Sequence, residues 1–243
     1  MPKNTFIPKP RLEKLPLAVR KDLRDNFETK KADWESEIAG QLGFPLSINF
    51  DAQAIWPYAE ENGATGAGTI FAGYIDGFMY ALKSYIENFG NLGREYFKHA
   101  VTNNELSLIP NEKGDDAEAI TADVKDGVFR IVFHYKRLGY NQSWLNDPFI
   151  KAIDQAPHEG FSLTAKHSIE AHYNEEIEDV HEAIAKILNL PDVKLDPSFD
   201  ENYAKLLKKD DQSWQSNFGK ATLEYFRYVL FLGQKATEIL MFY

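Results

Sequence analysis

Residues 119–135 read AITADVKDGVFRIVFHY. Ile120, Ala122 and Val124 alternate with polar or charged neighbours, Asp126-Gly127 follows, and alternation resumes through Phe129, Ile131, Phe133 and Tyr135. A period of two marks strands with one buried face. Asp-Gly suits a two-residue hairpin turn, in which both residues need positive φ. Such a turn sets Val124 opposite Phe129, Ala122 opposite Ile131 and Ile120 opposite Phe133 on one face, and Asp123 beside Arg130 on the other. A slip of one residue would scatter the apolar set over both faces, so the pattern fixes the register. ELSLI at 105–109 predicts a third strand and LSINF at 46–50 a fourth. Residues 100–140 are therefore expected to form a small antiparallel sheet.

The pattern changes on either side of this insertion. From Leu17 to Leu42, apolar residues recur at Val19, Leu23, Phe27, Trp34, Ile38 and Leu42, and Pro45 follows, which predicts a long amphipathic helix. A second helix is predicted over Gly68–Phe89, with Phe71, Ile75, Phe78, Leu82, Ile86 and Phe89 on one face. NDPFIKAI, 146–153, starts a helix with Asp147 as its cap and Pro148 at its first position. Two more helices are read at about Leu163–Leu188 and Trp214–Leu240. The fold class is α+β, with long helices from both ends of the chain packed together and against one face of the sheet. The organisation expected is one domain over 1–243: an extended arm (1–14), a helical segment (15–90), the strand insertion (100–140) and a second helical segment (161–237).

The two helical segments match. A shift of 146 positions places Leu17 on Leu163, Leu23 on Ile169, Phe27 on Tyr173, Ile38 on Ile184, Leu42 on Leu188 and Pro45 on Pro191, without a gap. One inserted residue later, Phe71 falls on Phe218 and Phe78 on Tyr225. Two amphipathic helices can always be slid into phase, but a shared proline stop and a nearly constant offset suggest an internal duplication with an approximate twofold axis.

Composition narrows the chemistry. The chain has 243 residues, no cysteine and a formal net charge of -10. Thiol nucleophiles, disulfides and thiolate metal sites are thereby excluded. The negative balance argues against a nucleic-acid partner, whose phosphates require concentrated Lys and Arg. The opening MPKNTFIPKPRLEKLP lacks the apolar core of a signal or anchor, and the most apolar window, TGAGTIFAGYIDGFMYAL (65–82), carries Asp76 and several glycines, which suits a buried helix better than a membrane span. A cytoplasmic protein is expected.

The stretch KHSIEAHYNEEIEDVHEAIAKIL, 166–188, invites a metal reading. His172 and His181 are nine residues apart, however, so they point about 180° apart on a helix. Glu178-x-x-His181 is half of a helical di-iron site, but the matching positions of the first segment, Ala32 and Glu35, supply no second half. No metal and no cofactor is expected. GATGAGT, 63–69, lacks the lysine and preceding strand of a phosphate loop. His134, on the hairpin's other face, has no Ser or Asp partner that would mark an acid–base site.

Two surfaces remain as candidates. Glu175, Glu178 and Glu182 belong to a run of six carboxylates in 167–185 that contains no Lys or Arg, which suits an interaction module engaging a basic partner surface, another copy of this chain included. YNQSWLND, 140–147, offers Tyr140, Asn141 and Trp144 for stacking and hydrogen bonding to a small molecule. An apolar or aromatic ligand, or an enzyme built on such a pocket, is the alternative; 17 Phe and 12 Tyr make either plausible.

Overall fold

The structure, a computed structural model, describes residues 6–59, 66–209 and 212–240. Residues 1–5 of the expected arm and Gly63–Thr65 of the glycine-rich stretch lie outside these. The fold is α+β, as the alternation of periods predicts. The expected single domain divides into two compact units, Met1–Pro157 and His158–Tyr243, each with its own aromatic core. The first contains the arm, one helical segment and the strands; the second contains the other helical segment.

In the first unit, α1 (Leu17–Leu23) and α2 (Thr29–Leu42) are joined by a π-helical turn, Arg24–Glu28. Leu15, Val19, Leu23 and Phe27 are all buried, and they are spaced by four. On an α-helix each step of four drifts by about 40°, and the wider π turn brings Phe27 back onto the buried side. Gly43, with φ 84°, ends α2. The chain continues through β1 (Ser47–Asn49) and α3 (Ala52–Ile55), whose cap Asp51 accepts from the amides of Gln53 and Ala54. It then enters α4 (Ala67–Ala100), kinked at Gly90.

The strands β2 (Glu105–Asn111), β3 (Ile120–Lys125) and β4 (Val128–His134) complete a sheet of order β1-β2-β4-β3. The hairpin has the register read from the sequence, Ile120 with Phe133, Ala122 with Ile131 and Val124 with Phe129. Asp126 and Gly127 both have positive φ, and Arg130 makes two 2.6 Å hydrogen bonds to Asp123. The sheet as a whole is mixed, not antiparallel, because β1, β2 and β4 run parallel. Helices α3 and α4 lie between β1 and β2, which allows a parallel crossover. After β2 the chain passes to the far edge to form β3, so β4 returns in the direction of β2.

Phe129 stacks on Phe97 and meets Phe78 and Phe149, the last from α5 (Asn146–Asp154). The α5 cap is Leu145, and Asp147 lies in the first turn, where its charge suits the helix dipole, instead of capping it. The arm is held to this unit: Phe6 packs against Tyr58 and Tyr135, and the Leu12 amide donates to the Gln53 carbonyl.

In the second unit, α6 (Leu163–Ser168), a π-helical turn Ile169–Tyr173 and α7 (Asn174–Leu188) follow the same plan. Ala165, Ile169, Tyr173 and Ile177 are spaced by four, and Asn189 ends α7 with φ 52°. After α8 (Phe199–Leu206) comes α9 (Phe218–Leu240). Tyr173, Tyr203, Phe218 and Phe226 form the core with Ile169, Val180, Ile184 and Leu223.

Each long helix crosses its helix pair on a glycine. A β-carbon at Gly68 would lie 2.2 Å from the Asp22 carbonyl oxygen, and one at Gly219 would lie 2.2 Å from that of Ser168. Both contacts carry a hydrogen bond: Gly68 N donates to Asp22 Oδ2 at 2.6 Å and Gly219 N donates to Ser168 Oγ at 3.1 Å. Asp22 and Ser168 are themselves 146 positions apart. The glycines are 151 positions apart, four more than the 147 between Phe71 and Phe218.

Gly68→Ala and Gly219→Ala should each cost about 1–3 kcal/mol by overpacking backbone. Gly40→Ala, inside α2 with nothing within 4 Å of the added carbon, should instead stabilise by about 0.5–1 kcal/mol. Chemical denaturation of the three variants checks the contrast. Gly127→Val should also destabilise, because a β-branched residue resists positive φ and its β-carbon would meet Thr102 Oγ1 at 2.2 Å; an unchanged melting temperature would contradict this.

Candidate functional site

The loop after the hairpin is bound tightly to α4. Gly139 N donates to Tyr74 Oη at 2.8 Å, and Gln142 Nε2 donates to the Ile70 carbonyl at 2.7 Å. The Gln142 carbonyl sits where a β-carbon on Gly77 would be, 2.0 Å away, so a small residue there lets the loop rest on the helix. Asn141 takes a positive φ of 54° and its carbonyl accepts from Trp144 N. Held this way, Trp144 is 67% exposed and Tyr140 is also exposed. Trp144 stands between two open depressions. One, of about 480 Å³, is lined by Asp76, Tyr80, Asn141 and Gln142; the other, of about 660 Å³, is lined by Glu118, Ile120 and Pro148. The sequence-predicted trio Tyr140, Asn141 and Trp144 thus lies on one loop, and of the three Asn141 and Trp144 line these depressions.

His134 departs from the surface position expected of it. It is 4% exposed and stacks on Tyr135, and its Nδ1 accepts from Lys136 N. The β2–β3 connection folds over it, with Asp115 accepting from both Tyr135 Oη and Lys136 Nζ. Burial, and then the charge of Arg137, hold its pKa below the ordinary value, against an opposing pull from Asp115. The ring is a neutral structural element of the sheet.

On α7, Glu175, Glu178 and Glu182 fall within about 60° of one another, on the side away from buried Tyr173, Val180 and Ile184. All three are exposed. Among the described residues none of them has a Lys or Arg in ion-pair range, whereas Glu170 pairs with Lys166 and Glu176 with Arg227. His181 does not face a second ligand; its Nε2 is hydrogen-bonded to the Val193 carbonyl. Among the described residues no three His, Asp or Glu side chains converge as a metal site would need.

The second unit also holds a groove of about 700 Å³ between α8 and α9, floored by Leu206, Phe218 and Phe226 and rimmed by Asp196, Glu201 and Lys205. Tyr225 also lines this groove, and Tyr225, Tyr228, Val229 and Leu232 of α9 are all exposed. The sequence reading missed this face. Its signal was present, because α9 carries apolar residues over more than half of its circumference.

Comparison with family models, curated protein sequences and solved structures gives no match for this chain. No described helix is long and apolar enough to cross a membrane.

The lowered pKa of His134 has a consequence for stability. Between its folded value and the ordinary value of about 6.5, the unfolded chain binds the extra proton, so stability is full above about pH 6.5 and declines as pH falls below it. His134→Gln should flatten this part of the curve. Urea midpoints measured from about pH 7 down to 5 check it, and identical slopes for the two proteins would contradict the burial described above.

Proposed function

We propose that the protein is an interaction module whose second unit engages a basic partner surface through Glu175, Glu178 and Glu182. The supporting observation is the stripe of exposed carboxylates with no Lys or Arg in ion-pair range among the described residues, beside Glu170 and Glu176, which have them. Like charges three and four residues apart weaken a helix by a few tenths of a kcal/mol, and a basic surface laid along them would offset that. The contact would be steered electrostatically and weakened by salt as the Debye length falls below about 10 Å. The described depressions are open, which favours a macromolecular surface over the enclosed site that a small substrate needs.

A second reading rests on Trp144. An exposed indole between two depressions, with Asp76 and Asn141 beside it, suits a small planar polar ligand that stacks, donates a hydrogen bond to Asp76 and exchanges one with Asn141. Screening aromatic fragments by thermal stabilisation tests it; the shift should vanish in Trp144→Ala.

The primary reading predicts that changing Glu175, Glu178 and Glu182 to Gln leaves the fold as stable or slightly more so, and abolishes capture of basic partners from a native extract at low salt. If the triple variant captures the same partners as the parent, the carboxylate stripe is only a solvated surface.

A further inference from the structure

The two helices that follow the glycine crossings differ in how they are covered. With Gly68 set against Gly219, Tyr74, Gly77, Phe78 and Ala81 of α4 correspond to Tyr225, Tyr228, Val229 and Leu232 of α9. On α4 these positions are sealed. Tyr74 meets Phe133, and Phe78 meets Phe129 and Phe149, so the sheet and α5 form the cover. On α9 the corresponding side chains are 64%, 59%, 40% and 48% exposed. They fall within about 100° of the helix circumference, repeat at steps of three, four and seven, and include no charge. The opposite side of α9 is filled by Leu223 and Phe226 in the core of the unit. α9 therefore has two apolar sides and one cover.

We propose that the second side of α9 is covered by α9 of a second copy of this chain, in an antiparallel pair. The area suits a weak, transient contact. With at most about 200 Å² for each full side-chain surface, the stripe offers on the order of 400 Å² per copy, and a pair buries about 800 Å², in the range of transient encounters. The stripe is also self-complementary: an antiparallel pair centred between Tyr228 and Val229 sets Tyr225 against Leu232 of the other copy. Charge selects the direction. Glu224 and Lys235 lie on the same flank, about 20° apart, and nearly symmetric about that centre. Antiparallel packing brings Lys235 of one copy within reach of Glu224 of the other, which also pairs with Arg227 in its own chain, whereas parallel packing puts the two flanks on opposite sides of the pair and leaves Glu224 and Lys235 about 16 Å apart along it. This contact uses none of the α7 carboxylates, so either proposal can fail alone.

The test uses the full chain. Sedimentation at about 100 μM, above the micromolar constants typical of small interfaces, should show a dimer that dissociates on dilution. The double change Tyr228→Glu and Leu232→Glu should leave a folded monomer by circular dichroism. Because the chain has no cysteine, one introduced thiol reports geometry. Val229→Cys should oxidise to a cross-linked dimer. Ala221→Cys should not, since its mate lies about 22 Å away along the antiparallel pair. A monomer at 100 μM, a dimer that survives both glutamates, or cross-linking at 221 in place of 229 would each overturn the proposal.

Discussion

A long helix with apolar side chains over more than half of its circumference needs two covers, and this requirement organises both units. α4 meets it on one side with Phe27, which packs edge-on to Phe71, and on the other with Phe129 and Phe149. In this view the four-stranded sheet is chiefly a lid for α4: its apolar face and α5 enclose the side that α1 and α2 leave bare. α9 meets the requirement once. Its remaining side is exposed, as is the carboxylate stripe on α7.

The crossing that aims each long helix is made of backbone. At Gly68 and Gly219 the helices approach until a glycine α-carbon rests on a carbonyl of the partner helix, a separation that no side chain permits. The amides freed at the start of α4 are taken up by Asp22, which accepts from Gly68 and Thr69, so a carboxylate sits at the positive end of the helix dipole. Ser168 does the same for Gly219 without charge. The steps of four and the π turns serve this contact too, since they keep Phe27 and Tyr173 on the buried side.

The features set by periodicity were legible in the sequence. Alternation and Asp126-Gly127 gave the hairpin and its register to the residue, and the bounds of the helix pairs, Leu17–Leu42 and Leu163–Leu188, followed from their apolar faces and stops. Periodicity carries no strand direction, so the parallel course of β1 and β2 was not legible. A slip of four residues leaves a helix face almost unchanged, so periodicity alone does not fix the offset that sets Phe71 on Phe218. Nor does it say which helix packs on which, hence the division into two units was missed. Among the site residues, the exposure of Glu175, Glu178 and Glu182 was legible as the side of α7 opposite its apolar residues. The exposure of Trp144 depends on Gln142 and Gly77 meeting across more than sixty residues, which no local pattern encodes.

If α9 needs two covers, its second side must be buried in solution. Covalent labelling of tyrosine in the intact protein, read residue by residue by mass spectrometry over a range of concentrations, addresses it directly. Tyr80 and Tyr140, exposed in the first unit, serve as internal references. Tyr225 and Tyr228 should become protected as concentration rises while the references stay reactive. Labelling of Tyr225 and Tyr228 that tracks the references at every concentration would contradict the account.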